Sequence, residues 1–157
     1  MLIEFQHYFT FDNIYLWSNF LVLPFWIMLI FIPNSRITQI FVNSIVLPLI
    51  LSVTYVFVVY QAMLIDEPLF DIIELYLGLD NLYTLLATEN FLLIFWIHFI
   101  ALNLFLGSWV SRDGVKYNMS RSMVAIPLIL IYFTGPVGLV LHWMFRIFSS
   151  KKLGLHD

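Results

Sequence analysis

The sequence predicts an all-α fold, an integral membrane four-helix bundle with a short amphipathic acidic segment between its second and third helices. Composition is the first ground: the 157 residues are 62% hydrophobic and 11% charged, whereas soluble domains run at about 45–50% apolar and about 25% charged. The second is four apolar runs, each near the roughly 20 residues that cross about 30 Å of hydrocarbon. The third is that those runs hold no Lys, Asp or Glu, and a single Arg, Arg146, at the end of the last.

The elements follow in order. Asp12 and Asn13 are cap-type residues before a first span at about 14–32, and Pro33-Asn34-Ser35 stops it. The second span covers about 40–63. The connection 66–90 carries Asp66, Glu67, Asp71, Glu74, Asp80 and Glu89 without a basic residue. Leu69, Ile72, Ile73, Tyr76, Leu79 and Leu82 recur among those acids at helical spacing, which predicts one or two short helices along the membrane surface. No histidine interleaves the carboxylates, so they read as a solvated face and no metal site is expected. The third span covers about 91–110 and ends at Arg112-Asp113-Gly114; the fourth covers about 123–148. Pro24, Pro48, Pro127 and Pro136 predict bends or local breaks in every span but the third. Gly135-Pro136-Val137-Gly138 is the densest such point. The first run is too long for a secretory h-region and lacks a preceding basic residue, so it is read as a retained span in a single domain, 1–157. Lys and Arg divide almost evenly between the two sides; Arg36 after the first span favours an external N-terminus.

Several activities are excluded. With no cysteine, disulfides, iron–sulfur clusters and thiolate nucleophiles are out. A formal net charge of -3 gives no reason to expect nucleic acid. No lysine in a span means no retinal Schiff base, and serine-hydrolase, zincin and P-loop motifs are missing.

Polar side chains within the bilayer are costly, and Asn19, His98, Asn103 and His142 are the ones present. Helix rise places Asn19, His98 and His142 about 8, 10 and 9 Å below one face. Gln61 approaches from above. Two readings stand: convergence on a buried site, or interhelical hydrogen bonding at about 1 kcal/mol each. Asn103 lies about 140° around the helix from His98 and faces another groove. Two imidazoles at equal depth also admit a b-type haem with His98 and His142 as axial ligands; otherwise no bound cofactor is expected.

Three blocks carry a family resemblance: Asn19-Phe20-Leu21-Val22-Leu23-Pro24-Phe25-Trp26; Trp96-Ile97-His98 through Asn103 to Gly107-Ser108-Trp109 with Arg112-Asp113; and Gly135-Pro136-Val137-Gly138 leading to Arg146. Over residues 13–148 the chain resembles the neoxanthin-synthase-like family, also called abscisic-acid-deficient-four-like. It departs from the family pattern at Asn103, where the motif has Asp, and at His142, where a Tyr is common. The resemblance implies a membrane protein, bacterial inner-membrane or plastid-type, that binds or isomerises a carotenoid or related isoprenoid. In such a reaction an epoxide oxygen gains a proton and a polyene carbon loses one. On that reading His98 and Asp113 are the acid–base groups, Asp113 otherwise being an interfacial ion pair with Arg112. Asn19 and Asn103 orient oxygen atoms, Arg112 and His142 are further substrate-binding residues, and Trp26, Trp96, Phe105 and Trp109 line a groove for a polyene. Expected partners are membrane lipid, the polyene, and a second copy or a larger membrane complex. The alternative from another class is a noncatalytic scaffold or assembly factor.

Overall fold

In the computed structural model the described residues are 9–42, 44, 46–64 and 76–150. They form α1 (Phe11–Phe31), α2 (Arg36–Phe41), α3 (Val46–Leu64), α4 (Leu79–Leu86), α5 (Glu89–Lys116), α6 (Arg121–Thr134) and α7 (Pro136–Ser150), with no strand among the described residues. Asp66, Glu67, Asp71 and Glu74 of the expected acidic segment lie outside them. Of its described part, Leu79–Leu86 form α4, which carries Asp80 in its first turn and buries none of its residues, and Glu89 opens α5.

Among the described residues, three stretches are long and apolar enough to cross a membrane: Phe11–Phe31, Arg36–Ala62 and Glu89–Lys116. The fourth expected span is corrected. Residues 123–148 are not one helix: α6 ends at Thr134, Gly135 takes φ 62 and ψ -93, and α7 starts at Pro136. A positive φ is a conformation that glycine adopts without a Cβ clash, and the following proline has no N–H with which to continue the ladder. The chain therefore reverses. A Cβ on Gly138 would meet the Ile131 nitrogen and the Pro127 carbonyl at 2.5 Å each, so α7 folds back closely upon α6. At 14 and 15 residues, each arm reaches about 21–23 Å, short of the roughly 30 Å of a bilayer core. The other prolines do not interrupt their helices. Pro24 and Pro127 lie inside α1 and α6, and Pro48 sits in the first turn of α3, where a missing N–H is harmless.

The chain divides into two compact units, Met1–Phe20 with Leu49–Ala101 and Leu21–Pro48 with Leu102–Asp157. In the first, Ile14, Val58, Ala62, Leu93, Ile94 and Ile97 form the core, flanked by Phe11, Tyr55 and Val59. In the second, buried Trp26, Leu29, Leu104, Val110, Leu128 and Ile131 are accompanied by buried Asn103, Ser111, Asp113, His142 and Arg146.

Candidate functional site

The second unit concentrates polar atoms where α5 meets the α6–α7 hairpin. Small residues make the approach possible. A Cβ on Gly107 would sit 2.7 Å from the Trp26 ring, and one on Gly114 would sit 2.4 Å from Val124. Along α7, Gly138, His142 and Arg146 are the buried positions, a four-residue spacing that puts all three on one face. Asp113 in the last turn of α5 and Tyr117, the residue just after the helix, have the same spacing. The two pairs face each other in register, His142 against Asp113 and Arg146 against Tyr117.

The contacts are direct. Nε2 of fully buried His142 lies 2.9 Å from Oδ2 of Asp113, and Nε of Arg146, also fully buried, lies 3.5 Å from the same oxygen. Arg146 Nη2 donates to the Tyr117 hydroxyl at 2.8 Å. Its guanidinium packs over the rings of Tyr117 (4.3 Å) and Trp143 (4.6 Å). Burying opposite charges is tolerable when each finds partners and a polarisable surface, and this pair has both. A carboxylate only accepts, so His142 donates through Nε2–H and its Nδ1 presents a lone pair. That Nδ1 is buried without a hydrogen-bond partner, and the Trp109 ring meets the imidazole edge-on at 5.7 Å. A carboxylate-oriented imidazole with one bare nitrogen is equipped to take and return a proton in a dry environment.

The predicted site residues fall into different surroundings. Asn19 and Trp96 meet within the first unit: Trp96 Nε1 donates to Asn19 Oδ1 at 3.2 Å, while Asn19 Nδ2 donates to the Tyr15 carbonyl at 2.7 Å. His98 is exposed, its ring 6.1 Å from that of Tyr55. Asn19 and His98 belong to the first unit and His142 to the second. With the reversal at Gly135, His142 reaches Asp113, which engages its Nε2. Trp26 packs against Tyr132 at 5.5 Å and leaves its buried Nε1 unpartnered. Asn103 is buried with Nδ2 unpartnered, and its Oδ1 abuts Gly135. Trp109 touches His142, whereas Phe105 is exposed. Arg112 is exposed and donates to the Ser108 carbonyl at 3.4 Å. The arginine beside Asp113 is thus Arg146, not its sequence neighbour. Arg146 and Tyr117 were missed as site members; the Gly138, His142, Arg146 spacing was the available signal.

Comparison with known proteins places the sequence in a family. The model described as ABA DEFICIENT 4-like matches residues 13–142. The chain is 28% identical over 133 residues to "Protein ABA DEFICIENT 4, chloroplastic" from Arabidopsis thaliana, covering 83% of this chain and 59% of that protein. It therefore spans less than two thirds of that relative's length. No solved structure matches.

Proposed function

This chain belongs to the ABA DEFICIENT 4-like family, and from that premise we propose that it is a membrane-embedded protein that binds a carotenoid or related isoprenoid and isomerises it by acid–base chemistry. The three long apolar helices act as spans. The α6–α7 hairpin dips into the bilayer beside them, where carbonyls freed at a Gly-Pro break are tolerated if they face protein or a cavity. The membrane is a bacterial inner or plastid-type one.

The observation that carries the reading is the buried His142, held through Nε2 by Asp113 with Nδ1 unpartnered. In the reaction, Nδ1 removes a proton from the polyene carbon next to a ring epoxide. The freed electron pair forms the new double bond of an allene, the carbon–oxygen bond breaks, and the oxygen takes the proton back from the imidazolium. One proton moves from carbon to oxygen, so substrate and product are isomers and no co-reactant is consumed. Asp113 stabilises the imidazolium, and Arg146, 3.5 Å away, holds Asp113 in place. Trp109 packs against the imidazole, and Trp26 and Asn103 hold further buried donors in the same unit.

The test is pigment analysis of cells that make epoxy-carotenoids, with and without this chain. Expected is an allenic isomer with the native chain and a drop of about 100-fold or more with His142→Gln, the usual scale of a lost acid–base group. Undiminished isomer formation by His142→Gln would overturn the assignment.

A further inference from the structure

A groove of about 330 Å³ opens in the second unit between the end of α1, the end of α5 and the start of α6. It lies on the other side of α5 from the His142 pair: Ser111, which lines it, and Asp113 are two residues apart, or about 200° around the helix. Its walls are apolar, with Leu29, Val115 and Val124 among them, and it falls within the size range of small-ligand sites.

Its polar lining is unlike its walls. Ser111 is 1% exposed and its Oγ has no hydrogen-bond partner. A buried hydroxyl left unpaired costs free energy that a ligand oxygen would recover. Arg121 lines the groove at the first residue of α6, where the helix N–H groups are unpaired by the ladder and the capping Ser120 side chain makes no cap bond. Asn34 and Asn118 add amide donors, and no carboxylate is among the lining residues. Exposed Arg36, Arg112 and Lys116 lie on the flanking ends of α2 and α5 and add positive charge at this end of the unit. Donors, positive charge and apolar walls together match an anionic head on a greasy chain.

We propose that this groove binds the phosphate head of a long-chain lipid, with Arg121 and the Ser111 hydroxyl as its principal contacts and the chain running out along Leu29 and Val115. The chemistry required is a phosphate ester on a hydrocarbon, supplied either by a membrane phospholipid or by an isoprenyl phosphate. The site is separate from the proposed isomerase centre and stands whether or not that reading holds.

The experiment is titration of the full chain, purified in neutral detergent, with farnesyl phosphate, farnesol, phosphatidylglycerol and phosphatidylcholine, following melting temperature and native mass. Saturable binding and a raised melting temperature are expected with farnesyl phosphate, phosphatidylglycerol or both, and not with farnesol. The tighter of the two anionic probes identifies the source. Arg121→Gln should weaken that binding about 10-fold, the effect of losing one charged hydrogen-bonding partner, and Ser111→Ala should weaken it less. Arg36→Gln, outside the groove, should weaken it less than Arg121→Gln. The proposal is overturned if neither anionic probe binds, if farnesol binds as well as its phosphate, if phosphatidylcholine binds as tightly as the tighter anionic probe, or if Arg36→Gln weakens binding as much as Arg121→Gln.

Discussion

The two units use polar residues in opposite ways. In the first, the amide of Asn19 is satisfied on both sides, by Trp96 and by the Tyr15 carbonyl, and His98 is exposed. The hydrophobic core there is aliphatic with aromatic flanks, and Ser18 and Asn90 are buried in the same unit. In the second, Asp113, His142 and Arg146 are buried together, and His142 Nδ1, Asn103 Nδ2, Trp26 Nε1 and Ser111 Oγ are buried without hydrogen-bond partners. A satisfied polar group is adhesive; a buried one with valence to spare is a place for a ligand or a proton. A histidine inside an apolar run is therefore not informative by itself. Its partners decide.

Mutation can sharpen or break that contrast. The largest effect is expected from Asp113→Leu, which strands the Arg146 charge in a buried site. Removing one member of such a pair costs about 3–5 kcal/mol, readable as a fall in unfolding temperature in detergent. Asp113→Leu combined with Arg146→Met should recover much of that loss, because no lone charge remains. Failure of the double variant to recover would show that the pair is not coupled as its 3.5 Å separation implies.

Gly135→Ala comes next. The new Cβ would stand 2.7 Å from Asn103 Oδ1 at a φ of +62, and strain of this kind costs about 1–3 kcal/mol. Asn103→Ala in the same chain should relieve the contact but not the dihedral, so partial rescue is expected; full rescue would mean that the backbone conformation at 135 is not strained.

In the first unit effects should be smaller. Asn19→Ala removes one hydrogen bond between helices and should cost about 1 kcal/mol. His98→Ala, at an exposed position, should change stability by less than about 0.5 kcal/mol and leave pigment conversion intact. Loss of conversion in His98→Ala would erase the distinction between the units and return His98 to the centre of the chemistry.

Much of the architecture was legible. Hydropathy and length alone mark α1, α3 and α5, because a continuous apolar stretch bounded by Pro33-Asn34-Ser35 or Arg112-Asp113-Gly114 has few other stable forms. The short helix before α5 was legible from its spacing. Asn103, Trp26, Trp109, Asp113 and His142 were all identified as candidates because polar and aromatic groups in apolar helices stand out. Their grouping was not legible. Averaged over a window, residues 123–148 look like one more crossing, and Gly135-Pro136 reads as a bend as readily as a reversal.

By itself, then, the sequence determined an all-helical chain with helices long and apolar enough to cross a membrane, since hydropathy and helix termination are local properties. It also determined that Gly138, His142 and Arg146 share a face, because helical periodicity fixes that before any packing. Tertiary structure alone decided that α7 turns back at Gly135 and lays that face against Asp113 and Tyr117. Two residues 29 positions apart meet only if a single backbone dihedral takes the left-handed side and two glycines let the helices close, and neither condition is visible until the helices are packed.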